Sequence, residues 1–326
     1  MRPLLAALSP AGRRARLSVL IFHRVLAQPD PLFPDEIDAN RFDAICNWIK
    51  NWFNVLPLDQ AVRRLRDGDL PARAAAITFD DGYADNHDLA LPILQGHGLS
   101  ATFFIATGFS SGGCMWNDLV IEAIRGCRAP ALDLRDLPGI EELLPLDSLP
   151  QQRHAIARII GATKYLPASQ RLGRVAEIRR RAQAHEPAPM MMDSAAILAL
   201  YAAGMGIGAH TVSHPILSRL DQATARREMA DGRARLEDLL QQRVGLFAYP
   251  NGRPDTDYLV DDAQMARTLG FDAAFSTAWG AAGCESDPYQ LPRFTPWGRS
   301  RTGFGLRLVR NLWRPKAQIA ELGRQA

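Results

Sequence analysis

Ala74-Ala75-Ala76-Ile77-Thr78-Phe79-Asp80-Asp81-Gly82 is an apolar, β-compatible run that stops at two adjacent carboxylates and a glycine. It reads as a buried strand delivering acids to its C-terminal end, where parallel α/β sheets keep their chemistry. Two neighbouring aspartates repel when both ionise, so a cation beside them, or a split in their pKa values, is expected. The same residues also suit a turn before a helix, because Asp and Gly favour turns and Asp85 or Asn86 can cap the next helix. The stretch alone leaves both readings open. The second half of the chain separates them.

Outward from this strand, β-like and helical segments alternate. Upstream lie a strand-like run at 17–23, a helix at 38–53 with Asp38 at its N-cap, a short strand at Val55-Leu56 and a helix at 58–66 closed by Gly68. Downstream come a helix at 86–95 made irregular by Pro92, a strand at 100–106, a glycine-rich strand at 206–209, and further strands at 244–249 and 273–276. Helices at 193–203, 222–241 and 258–269 separate them, and Leu291-Pro292-Arg293 is a last extended piece. From about 109 to 192 the strand alternation stops, and three helical stretches stand in its place. The expected architecture is α/β: a distorted (β/α)7 barrel over 17–298 with a helical insertion at about 109–192. A basic segment, 1–16, precedes it, and a basic amphipathic segment, 299–326, comes after it.

Hydrophobic residues at 47% and charged residues at 22% are ordinary for a globular protein with a full core. A net charge of +3 offers no global case for nucleic-acid binding. Cys46, Cys114, Cys127 and Cys284 are widely spaced, without a C-x-x-C pair, and are expected as free thiols in a reducing compartment. The apolar start, Leu4 to Leu8, is too short for a signal core, and nothing approaches the roughly 20 apolar residues of a membrane span. A cytoplasmic protein is expected, with peripheral membrane contact through 299–316, where arginines interleave with apolar residues.

His210-Thr-Val-Ser-His214 places two imidazoles four apart, and Pro215 biases the second away from helical angles, onto a loop at a strand end. H-x-x-x-H is common by chance, but this one follows a strand as the aspartate pair does. One carboxylate and two imidazoles make a sensible ligand set for a single divalent ion, zinc first, with cobalt, nickel or iron also admitted. Asp81, His210 and His214 are the candidate ligands. Asp80 is then free to act as general base.

With these residues the chain resembles the polysaccharide deacetylases, the NodB-homology or carbohydrate esterase family 4 enzymes. Thr78-Phe79-Asp80-Asp81-Gly82 is similar to the family's first motif, His210 to His214 to its second, and Phe247-Ala248-Tyr249-Pro250-Asn251-Gly252 to its third. The resemblance implies a NodB-type barrel, Asp80 as base, and the backbone N–H of Tyr249 as an oxyanion donor. It also implies an arginine holding the base. The third motif lacks that arginine here, and Arg293 is the candidate replacement. The family's late histidine acid is absent, because no histidine follows His214. Leu20 to Val25 resembles the strand that carries this histidine ahead of the aspartate pair in the poly-N-acetylglucosamine and exopolysaccharide branch. His23 is therefore the candidate acid, against the alternative of a hydrogen-bonded core histidine.

The implied activity is metal-dependent removal of N-acetyl groups from a polysaccharide or exopolysaccharide precursor. Tyr83, Pro250 and Trp279 are candidate groove residues; Trp116 and Trp297 are further aromatics able to stack on a sugar. Two alternatives stand beside this: a deformylase or deacetylase of a small lipid-linked sugar, and an inactive glycan-binding barrel. Retention of the base together with the ligands argues against the last. The sequence leaves the sugar and the oligomeric state open.

Overall fold

The computed structural model of the protein describes residues 1–295, 298, 300–314 and 317–321. Trp297, Arg299 and Lys316 lie outside the described residues. The chain divides into two compact units, one of Met1–Gln28, Ile37–Ser111 and Met192–Ala326, the other of Pro29–Glu36 and Gly112–Met191.

In chain order the first part contributes α1 (Arg2–Leu8), β1 (Ser18–Phe22), α2 (Ala39–Trp52), β2 (Asn54–Val55) and α3 (Leu58–Asp67). Next come β3 (Ala74–Phe79), α4 (Leu91–His97) and β4 (Thr102–Ile105). The second unit holds α5 (Trp116–Gly126), β5 (Ala131–Asp133), β6 (Leu143–Pro145), α6 (Leu149–Thr163) and α7 (Ala168–Arg181). The chain then returns through α8 (Ser194–Ala202), β7 (Gly206–Ala209), α9 (Gln222–Leu240) and β8 (Leu246–Ala248). It ends with α10 (Val260–Thr268), β9 (Ala273–Phe275) and α11 (Arg301–Trp313).

Seven parallel strands form one curled sheet in the order β1-β3-β4-β7-β8-β9, with β2 beside the first half of β3. The expected α/β barrel of seven strands is thus present as a half-barrel ringed by helices. Its remaining gap is spanned by residues 291–294, where Leu291 bridges Phe275 and Phe294 bridges Leu20. The two bridges do not extend into a strand for a local reason. Pro292 lacks an N–H, and the N–H of Arg293 turns to Ala278 O at 3.1 Å.

Side-chain alternation along β3 sorts two cores. Ile77 and Phe79 face the helices, where Phe79 stacks between Phe22 and Phe103 at centroid distances of 5.4 and 4.9 Å. Ala74 and Ala76 face the other way, into a narrow interior with Val19, Phe104, Ala248 and Phe275. Small residues there make room for Phe104: a Cβ on Gly208 would collide with its ring. Continuing the alternation, Thr78 and then Asp80 point into the same interior.

The Asp38 cap falls where the sequence places it, whereas Asp85 and Asn86 cap no helix with their side chains, because the Asp85 carboxylate accepts from Arg24 Nε and Val25 N–H and Asn86 donates to His23 O. Asp38, Asp193 and Asp221 each accept from the backbone N–H three residues on. The expected helix at 86–95 divides into a π turn over Asn86–Ala90 and α4, so Pro92 sits in a first turn where its missing N–H costs nothing. No helix among the described residues is long and apolar enough to cross a membrane. The second unit has a core of its own, in which Val120, Ile124, Ile156, Ile159, Val175 and Ile178 meet. It also contains an antiparallel hairpin, β5 with β6, that the sequence reading does not anticipate. Three-residue strands are too short to show alternation.

Candidate active site

β3 ends where the interior opens. Asp80 N–H still donates to Phe22 O at 3.0 Å, as a ladder residue would. Asp81 and Gly82 then turn sharply at φ 75° and 92°. A left-handed aspartate is strained unless its surroundings hold it. Here Ala106 N–H donates to Asp81 O at 3.2 Å.

Asp80 is 2% exposed and lies against Arg293, which is wholly buried. The guanidinium donates to both carboxylate oxygens, at 2.6 and 2.7 Å, and its Nε donates to Ser276 O at 3.0 Å. Burial pushes the Asp80 carboxyl up, but the charge and hydrogen bonds of Arg293 outweigh it and hold the group below the usual carboxylate range. Arg293 reaches this position because it belongs to the segment that spans the sheet's gap. The structure therefore brings together two residues 213 positions apart that sequence reading could only pair as candidates.

The two histidines sit on the loop after β7. His210 Nδ1 donates to Ala248 O at 2.7 Å, and a carbonyl only accepts, so the proton is on Nδ1 and the Nε2 lone pair is free. That Nε2 lies 3.4 Å from Asp81 Oδ1, and His214 Nε2 lies 3.2 Å from the same oxygen. Asp81 Oδ1 is buried and has no hydrogen-bond partner. One ligand atom from each of Asp81, His210 and His214 lies within 4.8 Å of the others. A buried carboxylate oxygen without a hydrogen-bond partner, within 3.4 Å of two imidazole nitrogens of which His210 Nε2 carries a free lone pair, is a donor set that fits a metal ion.

Sequence reading missed what holds this loop. Thr211 and His214 both have positive φ, 67° and 54°. From α9, the Glu228 carboxylate accepts from Val212 N–H and Ser213 N–H, each at 2.9 Å, and from Ser213 Oγ at 2.7 Å. Gly232, one turn on, lets the helix approach: a Cβ there would stand 2.7 Å from Thr211 C and O. Nothing in the helical pattern of 222–241 marks either residue.

His23 follows β1 directly, one register position past the Phe22–Phe79 pair, which sets it beside Asp80 at the same mouth. Its side chain is exposed, so the core-histidine alternative is removed. Its backbone is fixed from the segment after the aspartates. Asn86 Nδ2 donates to His23 O at 2.8 Å, and Asp85 accepts from Arg24 Nε at 2.8 Å and Val25 N–H at 3.1 Å.

Two expectations are corrected. The Tyr249 N–H donates to Phe275 O at 3.1 Å, so the β8–β9 ladder already uses it and it does not face an oxyanion. Tyr83 and Pro250 are buried, and Arg24 covers the Tyr83 ring at 4.7 Å, so neither presents a face to a sugar. Both belong to packed turns, a context that motif position does not reveal. Trp279 is 39% exposed, packed edge-on against Phe294.

A curled parallel half-barrel with an aspartate and two histidines converging at its C-terminal mouth, beside a second, arginine-clamped aspartate, has the makings of a hydrolase. The comparisons agree. The polysaccharide deacetylase family model matches residues 67–125 and 175–274. YxkH of Bacillus subtilis (strain 168), assigned to the polysaccharide deacetylases, is 23% identical over 295 residues, covering 89% of this chain and 75% of that protein. Among solved structures, the Streptococcus pyogenes deacetylase PplD in complex with acetate aligns over 92% of this chain and 99% of its own, at 18% identity and TM-score 0.61. IcaB from Ammonifex degensii aligns over 94% and 99%, at 17% identity and TM-score 0.58. At such identities the structural likeness speaks for the fold. The chain belongs to the polysaccharide deacetylase family.

Proposed function

We propose that the protein hydrolyses N-acetyl groups on the amino sugars of an exopolysaccharide or its precursor, with one divalent ion, zinc first, held by Asp81, His210 and His214. The observation that carries this reading is the buried, unpartnered Asp81 Oδ1 facing two imidazole nitrogens at 3.2 and 3.4 Å. When bound, the ion supplies Lewis acidity to the acetyl carbonyl and lowers the pKa of water.

The remaining work falls to side chains. Asp80, kept ionised and fixed by Arg293, accepts the proton of the attacking water. The new C–O bond forms first, as the carbonyl π bond opens onto its oxygen; the C–N bond breaks when that tetrahedral adduct collapses, and the departing nitrogen requires a proton to leave as an amine. His23, an exposed imidazole beside Asp80, donates it. The presence of an exposed imidazole at this mouth is what an amide, whose nitrogen leaves poorly without a proton, would use. The products are acetate and a free amino sugar. The cysteines are all free, which supports a reducing, cytoplasmic location.

The test is acetate release from N-acetylglucosamine oligomers and from an O-acetylated glycan, with metal content measured on the same samples. The native protein is expected to bind about one divalent ion and to release acetate from the N-acetylated substrate. Asp80→Asn is expected to keep the ion and lose activity by roughly 100-fold or more. Undiminished activity in Asp80→Asn, or in a fully metal-stripped protein, overturns the proposal.

A further inference from the structure

One face of the first unit has no place in this chemistry. α1 reads Arg2-Pro3-Leu4-Leu5-Ala6-Ala7-Leu8, and only Leu5 is buried. Pro3, Leu4 and Ala7 are exposed, so apart from Arg2 the helix offers water no polar side chain. A surface helix in water ordinarily has a polar face. The neighbouring α11 buries Phe304, Leu308 and Leu312, yet turns Leu306 and Trp313 outward, 58% and 75% exposed. Trp313 is the most exposed large apolar side chain among the described residues. Leu306 and Trp313 are seven apart, hence on one helical face, with Arg310 between them and Arg307 alongside, both exposed.

Between α1, α2 and α11 runs a groove of about 860 Å³ whose lining includes Arg2, Trp48, Trp52 and Arg301 and no carboxylate. The charge is one-sided in sequence as well: no Asp or Glu occurs in residues 1–24 or 288–320.

We infer that this face docks the protein on an anionic phospholipid surface. Lipid phosphates meet the arginines, while Leu4, Leu306 and Trp313 enter the headgroup and upper acyl region, where indole rings are favoured. Complementarity of both kinds at once selects this partner. A second copy of the same face would oppose arginine to arginine, and a polyanion in water would leave the leucines and Trp313 uncovered. Only a lipid interface satisfies the charged and the apolar side chains together. The face lies apart in sequence from Asp80, Asp81, His210 and His214, so its failure and that of the catalytic proposal are distinguishable.

The experiment is co-sedimentation of the full chain with phosphatidylcholine vesicles, with and without phosphatidylglycerol, at low and high salt. Two variants accompany it, Leu306→Ser with Trp313→Ser, and Arg307→Gln with Arg310→Gln. All four side chains are exposed, and an unchanged melting temperature verifies folding. The native protein is expected to bind only the phosphatidylglycerol vesicles and to be released by salt. The apolar double variant is expected to bind about tenfold more weakly, and the arginine variant about fivefold more weakly per arginine. Equal binding to both vesicle types, or undiminished binding by both variants, overturns the inference. So does a concentration-dependent dimer that both variants abolish without any vesicle binding, which would assign the face to a second copy.

Discussion

Arg293 and Asp80 form a buried ion pair whose removal is asymmetric in its cost. Arg293→Met leaves a carboxylate uncompensated in the interior, and a loss of about 3–5 kcal/mol in denaturant-derived stability is expected. Arg293→Met with Asp80→Asn should recover most of it, because no buried charge then lacks a partner. If the double variant is as unstable as the single, the pair is not what the interior is built around. A second residue-scale prediction concerns Asp262, whose carboxyl burial pushes up to about 6 while it accepts from Leu259 N–H at 2.8 Å. A carboxyl raised on folding binds more protons in the native than in the unfolded state between about pH 4 and 6, so stability falls as pH rises through that window. Asp262→Asn keeps an acceptor for Leu259 and removes the charge. Its melts are expected to show a gain of order 1–3 kcal/mol at pH 7 that disappears below about pH 4. A gain equally large at pH 3.5 would show that something other than ionisation is responsible. At this scale the reactive residues were legible in the sequence, because Asp80-Asp81 and His210 to His214 are local patterns with strand ends before them. Arg293 was legible only as a candidate, and the Tyr249 N–H was misread, since a motif does not say which carbonyl an amide meets.

Between residues and whole molecule, α9 acts on the ligand loop as a splint. Glu228 holds three donors of residues 212–213, between two histidines whose own loop contains two left-handed residues. Glu228→Ala is expected to weaken metal binding by about 10–100-fold with little change in helix content. Titration with a chromophoric chelator competitor measures it, and unchanged affinity would reduce Glu228 to a helix-surface residue. Gly232→Ala should act in the same direction, since its Cβ must displace the Thr211 backbone from 2.7 Å. Element identity was largely readable because apolar β-compatible runs alternate with helix-length segments, several of them, α2 and α3 above all, with apolar residues at helical spacing. What escaped was the interior of 86–95, where Pro92 chooses between a kink and a first turn, and the β5–β6 hairpin. Neither decision is made by local sequence alone.

For the molecule as a whole, the ligands come from the ends of β3 and β7, which are far apart in sequence and flank β4 in the sheet, so a bound ion ties two separate strand ends together. Anything that binds only the folded state stabilises it by mass action, about 2.7 kcal/mol at one hundred times Kd. Melting the protein with saturating zinc and again after chelation should show that difference; coincident melts would mean the ion is not held by these ligands.

The alternation of strands and helices outside 109–192, the presence of an acid pair and a histidine pair, and the family were determined by the sequence by itself, because each element and each motif is written in a short run of consecutive residues. Which side of β3 faces the interior follows from alternation and was implicit there too. Only the tertiary structure decided that residues 291–294 span the sheet's gap and so deliver Arg293 to Asp80. It also decided that Glu228 braces the histidine loop, and that the Tyr249 amide is already engaged. Each is a contact between separate elements, from 15 to 213 positions apart, chosen by how strands, helices and the gap-spanning segment pack, and no local pattern encodes which elements meet.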